Sequence, residues 1–249
     1  MNYRLTIQYD GTDFRGWQAQ EEGRTVQGEL ARALSLIEGG EVVVHGAGRT
    51  DAGVHAEGQV ASLRLRREMA PGRLRDAVNG NVGRDVRVIE AAPAPEEFHA
   101  RYSARGKTYV YRVFNERVLS PFWLRYAHQE ARALDLSAMR EAAQAFLGEH
   151  DWTAFSAAQS DVKTRVRRLA SLEISERRSE RGRGRLIEIR LSADGFLRYL
   201  ARSIAGTLLA AGRGEAGAET IRSALETGER PQVAATAPAH GLTLVEVHY

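Results

Sequence analysis

Gly46-Ala47-Gly48-Arg49-Thr50-Asp51-Ala52-Gly53-Val54-His55 is the stretch on which the reading of this chain turns. It has the glycine content of a phosphate-cradling loop, yet it fails each such pattern. No Gly-Lys-Ser/Thr follows, so it is not a nucleoside-triphosphate loop. Counted from Gly46, the sixth position is Asp51, where a dinucleotide fingerprint has glycine. His45 and His55 lack the helical spacing of a zinc pair, and His55-Ala56-Glu57 does not continue as His-Glu-x-x-His. On composition alone, an aspartate among glycines is a turn residue that bonds its own backbone.

The flanks are strands. Glu41 to His45 reads as a short strand, and Gly58 to Leu65 alternates as another. Upstream, Tyr3, Leu5, Ile7 and Tyr9 alternate with Arg4, Thr6, Gln8 and Asp10, which marks a first strand. Thr25 is placed to cap a helix with Val26, Leu30, Ala33, Leu34 and Ile37 on one face, ended by Gly39-Gly40. Pro71 suits the first turn of a short helix reaching Val78, and Val86 to Glu90 is a further strand. Strand, helix, strand, loop, strand, helix, strand is an α+β plan with a mainly antiparallel sheet.

Residues 105–249 repeat the plan loosely. Lys107 to Asn115 is a strand, and Asp135 caps a helix with Leu136, Met139, Ala143, Phe146 and Leu147 on its apolar face and Gly148 as its stop. Val166 to Ile174 and Leu186 to Ala193 read as a hairpin whose connection, Glu176 to Arg185, is too charged for a core. A helix from Phe196 to about Ala211 and another from Ala218 to Thr227 precede a last strand, Leu242 to Tyr249. The expectation is two similar halves, 1–104 and 105–249, that share a central sheet flanked by helices.

Composition narrows the function classes. The chain has 249 residues, 43% hydrophobic and 27% charged, the profile of a globular protein. Its start reads as strand with no leader, and no apolar run approaches the roughly 18 residues of a membrane span, so a cytoplasmic, membrane-free protein is expected. Cysteine is absent, which excludes disulfides, thiol nucleophiles and cysteine-held metals. Only Lys107 and Lys163 are lysines, so 33 of 35 basic residues are arginine, the side chain that grips phosphate bidentately and stacks on bases. Residues 1–104 carry a charge of −2 and residues 105–249 a charge of +5, compatible with a polyanionic partner.

The octapeptide from Gly48 to His55 resembles, very specifically, the Gly-Arg-Thr-Asp-Ala-Gly-Val-His motif of the TruA family of tRNA pseudouridine synthases. The likeness extends along nearly the whole chain. It takes in Tyr9-Asp10-Gly11, Gly16-Trp17-Gln18, Thr25-Val26-Gln27, Asn79 to Asn81 and Phe98-His99-Ala100-Arg101. It continues through Tyr109-x-Tyr111 with Asn115, Phe155, Phe196 to Gly206, and Ala237-Pro238-Ala239-x-Gly241-Leu242. The stretch from Ser179 to Arg185 matches no family pattern. The resemblance implies two halves like RRM or ferredoxin folds, with a catalytic cleft between them. It implies Asp51 as the catalytic carboxylate, Tyr109 as the ring stacked on the target uracil, and Arg202 as the partner of Asp51. It further implies uridines 38, 39 and 40 of the tRNA anticodon stem-loop as targets, and a homodimer in which one tRNA contacts both subunits.

The chemistry wants such residues. Conversion of uridine to pseudouridine breaks the N1–C1′ bond, turns the base and joins C5 to C1′. Neither redox change nor net loss of atoms occurs, so the stoichiometry requires no cofactor and no metal. Positive charge develops at C1′ as the base departs, as in glycoside hydrolysis, and a carboxylate there can stabilise it or bond to it. Alternatively it can start loss of the 2′ proton towards a glycal, and the sequence leaves both routes open. A carboxylate shut away from water tends to take up a proton, and a fixed arginine offsets this. Read from the residues alone, Arg202 is a helix arginine beside the stripe Leu197, Ala201, Ile204 and Leu208, with Arg198 one turn earlier extending the basic face. Tyr109 and Tyr111 share a strand face and would ordinarily pack a core. Its phenol makes Tyr109 a candidate base at C5 or C2′.

A stacked base must first be flipped out, so substrate choice rests on RNA shape and on phosphate contacts. Candidate contacts are Arg15, Arg49, Arg198, and the cluster Lys163, Arg165, Arg167 and Arg168. Trp17 and Phe98 read equally well as core. Two rival functions share parts of this pattern. A silent RNA-binding or RNA-chaperone protein needs a basic cleft but not Asp51, Tyr109 and Arg202 together. A nucleoside hydrolase needs a second carboxylate to activate water, and none accompanies Asp51 in its loop.

Overall fold

The computed structural model describes residues 1–158, 162–179, 184–233 and 235–249. The α+β class with mainly antiparallel strands is as expected, and the chain divides into two compact units. One comprises residues 1–105 with 243–249, the other residues 106–242. No helix among the described residues is long and apolar enough to cross a membrane.

In the first unit the alternation of Tyr3, Leu5, Ile7 and Tyr9 makes β1 (Asn2–Tyr9), with all four side chains buried. Its two edges pair antiparallel with β3 (His55–Arg64) and β4 (Val86–Pro93), Leu5 facing Ala61 on one side and Ala91 on the other. The short β2 (Val44–Gly46) joins β3 antiparallel, and β10 (Leu242–His248) joins it in parallel at Thr243 and Leu244. The β-α-β-β-α-β succession with strand order β4-β1-β3-β2 is the split-βαβ pattern of ferredoxin-like folds. Helix α1 (Val26–Glu38) starts where its cap was expected, Thr25 Oγ1 accepting the Gly28 N–H at 3.2 Å, and stops at Gly39 with φ 72°. Helix α2 (Pro71–Asn81) has proline in its first turn and buries Leu74 and Val78.

The second unit is built on the antiparallel order β5-β9-β8-β7, from β5 (Gly106–Asn115), β9 (Arg185–Ala193), β8 (Val166–Arg178) and β7 (Gly148–Asp151). The two-residue β6 (His128–Gln129) adds to β5 in parallel. Helices α3 (Leu136–Gln144), α4 (Leu200–Gly212) and α5 (Ala218–Thr227) complete it. Asp135 caps α3 as expected, accepting from Ser137 and Ala138 N–H at 2.8 and 3.1 Å.

Three boundaries correct the sequence reading. Helix α3 ends at Gln144, and Gly148, with φ 106°, opens β7 instead of stopping the helix. The hairpin arms run to Arg178 and Arg185, which face each other across the ladder. Backbone pairing holds these charged arms, with Glu176, Arg177 and Arg178 exposed and Arg185 half-buried against Asn115 and Leu134, and residues 180–183 lie outside the described set. Helix α4 begins at Leu200 and not at Phe196, because Tyr199 has φ 69° and cannot continue a right-handed helix. Arg202 is therefore the third residue of α4, and Arg198 precedes the helix.

Candidate active site

The Asp51 loop, residues 47–54, folds back along the first half of β3. The Ala47 N–H donates to the Val60 carbonyl at 2.8 Å, and the Gln59 amide donates to the Gly48 carbonyl at 2.9 Å. Thr50 is gripped twice more. The Trp17 N–H donates to its carbonyl at 3.1 Å, and its hydroxyl shares a 2.8 Å hydrogen bond with the Tyr9 hydroxyl. Tyr9, Gln59 and Thr50 are all buried, so these bonds form where water cannot compete. Burial pushes the Tyr9 hydroxyl up to about 12 against the opposing bonds from Thr50 and Gln59, which keeps it protonated at neutral pH.

The turn holding Asp51 closes main chain to main chain. Val54 N–H donates to the Asp51 carbonyl at 3.1 Å, and Gly53 takes φ 79° at the third position, as a type II turn requires. The Asp51 side chain is half-buried and Arg49 is exposed. The preceding family segments explain themselves here as contacts. A Cβ on Gly16 would stand 2.5 Å from the Thr50 carbonyl oxygen, and one on Gly11 would enter the Val54 carbonyl. His55 Nδ1 accepts the Gly11 N–H at 3.0 Å and lies 3.2 Å from Asp10. Trp17 is fully core, with its indole against Gly46. Phe98 is half-buried and packs on Tyr249 at 5.0 Å between ring centroids.

In the second unit the two tyrosines of β5 part company. Tyr111 is wholly buried, and its hydroxyl donates to the Pro238 carbonyl at 3.0 Å, a core role. Burial drives its pKa up, and the charge of Arg202 opposes this, so the phenol stays protonated at neutral pH. Tyr109 is 5% exposed and stands edge-on to Phe196, with ring centroids 4.8 Å apart at 74°. Arg202 is held by the segment that carries Ala237-Pro238. Its Nε donates to the Ala237 carbonyl at 2.8 Å, and its own carbonyl accepts the Ala237 N–H at 3.1 Å. Gly206, one turn on, lets this segment approach, since a Cβ there would enter the Ala235 carbonyl. Ile204 and Leu208 lock α4 from its buried side, each worth about 1.5–3 kcal/mol of burial.

The basic residues differ in what occupies them. Arg165 donates to Ser156 Oγ at 3.2 Å and to the Ala158 carbonyl, and Arg167 donates to the Thr164 carbonyl at 3.1 Å. Arg167 and Arg168 are consecutive on β8 and so point to opposite faces, which divides the run that looks dense in sequence. Lys163, Arg168, Arg198 and Arg15 are exposed. Asp51 and Arg49 thus belong to the first unit, whereas Tyr109, Arg165, Arg168, Arg198 and Arg202 belong to the second. The bracing roles of Gln59 and His55 carry no composition signal. Tyr199, beside Arg202, carries none either, because a left-handed position advertises itself only when glycine fills it. Among the described residues no group of three or more His, Cys, Asp or Glu side chains is arranged to hold a metal ion.

Comparison with known proteins places this geometry in context. The model of a family described as tRNA pseudouridine synthase matches residues 5–103 and 142–249. A protein of Beijerinckia indica named tRNA pseudouridine synthase A is 44% identical over 248 residues, 99% of this chain and 93% of the relative. One of Bacillus cereus, named tRNA pseudouridine synthase A 2, is 38% identical across 100% of this chain and 99% of its own. A Brucella ovis relative, also named tRNA pseudouridine synthase A, is 39% identical over 99% of this chain and 97% of its own.

Proposed function

Because this chain belongs to the tRNA pseudouridine synthase family, we propose that it isomerises uridine to pseudouridine in tRNA with Asp51 as the acting carboxylate. The observation that carries the reading is the loop itself. A half-buried aspartate sits on a turn whose neighbours Gly48 and Thr50 are fixed by Gln59, Trp17 and Tyr9. A site built this way holds a carboxylate steady as charge appears at C1′.

In the proposed reaction the N1–C1′ bond breaks, the uracil turns, C5 bonds to C1′, the C5 proton leaves and N1 gains one. Asp51 either bonds to C1′ as N1 leaves and is displaced when C5 attacks C1′, or removes the 2′ proton first and returns it to C2′ once C5 has joined C1′. Arg202 offsets the Asp51 charge, and Tyr109 stacks on the uracil with its phenol available as the base. Arg49, Arg165, Arg168 and Arg198 act as phosphate contacts, of which Arg165 must exchange its protein partners for RNA. The targets are uridines 38, 39 and 40 of the anticodon stem-loop, modified in the cytoplasm by a pair of identical subunits.

Unmodified tRNA transcripts incubated with the protein, digested and separated as nucleosides, test this. The expected result is pseudouridine with no free uracil, mapped by carbodiimide adducts to positions 38–40. Free uracil would indicate a hydrolase, and binding without either product an RNA-binding protein.

A further inference from the structure

Tyr199 is the one residue other than glycine, among those described, with a positive φ, 69° with ψ −5°. A tyrosine there meets steric resistance that glycine would escape, and such strain persists only where surrounding contacts over-determine it. The contacts are specific. The Tyr199 carbonyl accepts the Ser203 N–H at 2.8 Å, the first hydrogen bond of α4. Its ring lies under two guanidinium groups, with the Arg198 carbon 4.8 Å and the Arg202 carbon 5.2 Å from the centroid. Its hydroxyl accepts from Arg198 at 3.0 Å.

The left-handed residue creates this arrangement. In an unbroken helix Arg198 and Arg202 would be neighbours one turn apart, with Tyr199 about 100° round from Arg198. The reversal at position 199 instead brings the Tyr199 ring within cation–π range of both guanidinium groups. Arg202 is then engaged both through Nε, on the Ala237 carbonyl, and through its charge, over the Tyr199 ring.

We propose that Tyr199 is a positioning residue for the isomerisation, its ring orienting Arg202 and its hydroxyl orienting Arg198. The assignment rests on the reading of Arg202 as an active-site arginine. Ring and hydroxyl divide the work, so the variants separate. Tyr199→Leu removes the aromatic face and the hydroxyl together but keeps the strained backbone, so kcat should fall about tenfold and KM for tRNA rise about threefold. Tyr199→Gly removes the face and the strain together, so kcat should fall likewise while the melting temperature equals or exceeds that of Tyr199→Leu. Tyr199→Phe keeps the ring and removes only the hydroxyl that Arg198 bonds, so kcat should stay within about twofold while KM for tRNA rises about threefold.

The decisive set is kcat, KM and melting temperature for these three variants beside Arg202→Ala, by pseudouridine formation on full-length tRNA. Wild-type kcat in both Tyr199→Leu and Tyr199→Gly, with Arg202→Ala inactive, would overturn the role of Tyr199 alone. Wild-type turnover by Arg202→Ala would overturn the reading of Arg202 and this inference with it. A melting temperature of Tyr199→Gly below that of Tyr199→Leu, which lacks the same ring contacts but keeps the Cβ, would overturn the reading of the position as strained.

Discussion

Asp51 rides on a loop whose backbone is gripped from several directions, whereas Arg202 stands near the start of a helix, where contacts to its own side chain aim it. Around Asp51, the Gln59 side chain of β3 bonds the Gly48 carbonyl, the Trp17 backbone N–H bonds the Thr50 carbonyl, the Tyr9 hydroxyl of β1 bonds the Thr50 hydroxyl, and glycines at 11 and 16 let backbones nearly touch. Around Arg202, the Ala237 carbonyl and the Tyr199 ring both engage the guanidinium, and the segment with Ala237 is kept in place through Pro238 and Gly206. A loop has no intrinsic shape and needs redundant bracing. A helix supplies its own backbone order, so a few contacts suffice to aim one side chain. The difference predicts that single deletions will be absorbed in the first region and transmitted in the second.

Of the changes around Arg202, the largest effect should come from Arg202→Ala, which removes the aimed charge and should lower kcat about a hundredfold or more in a pseudouridine assay. Next are the close approaches. Gly16→Ala and Gly206→Ala each force a Cβ into a carbonyl oxygen and should cost about 2–3 kcal/mol in urea unfolding. A loss under 0.5 kcal/mol at either, on the order of an ordinary surface change, would mean that the neighbouring segment moves freely.

A matched pair sharpens the contrast. Tyr9→Phe and Tyr111→Phe each delete one buried hydroxyl and should each cost about 1–2 kcal/mol. Activity should separate them. Loss of the Tyr9 hydroxyl leaves Thr50 held by Trp17 and should change kcat by about threefold or less, whereas loss of the Tyr111 bond to Pro238 should lower it about tenfold. Equal activity losses would break the comparison.

The smallest effect concerns acid. The bidentate pair of Arg24 with Asp85, 2.8 Å at one contact, ties the start of β4 to the segment before α1. The Arg24 hydrogen bonds hold the Asp85 carboxyl below its usual range. A depressed carboxylate stabilises the fold above its unfolded pKa, about 3.9, and loses that contribution as pH falls through the folded value. With Arg24 35% exposed, solvent screening limits the pair to about 1 kcal/mol. Asp85→Asn should therefore be less stable than wild type at pH 7 and indistinguishable from it near pH 2.

The contrast also decides what could be read from the sequence. The Asp51 loop was legible because its tight contacts demand glycine at fixed places, and Gly11, Gly16, Gly46 and Gly53 spell them out. The caps Thr25 and Asp135 were legible for the same local reason: each side chain bonds the helix beside it. The start of α4 was not. The apolar period runs smoothly through Phe196 and Leu197, and nothing in a tyrosine at position 199 announces a reversed backbone. Strands β6 and β7 escaped notice because two or four residues show no period, and the arms of the β8–β9 hairpin were hidden by their charge. Tyr109 and Tyr111 looked equivalent, since distinguishing them takes the position of Pro238, distant in sequence and close in space.

The most direct test is release of tritium from tRNA labelled at uridine C5, comparing wild type with Asp51→Ala. Joining C5 to C1′ expels that hydrogen, so release counts turnovers. The account predicts release by wild type and none above background by Asp51→Ala, while both bind tRNA with the same affinity. Release by Asp51→Ala at the wild-type rate would contradict it.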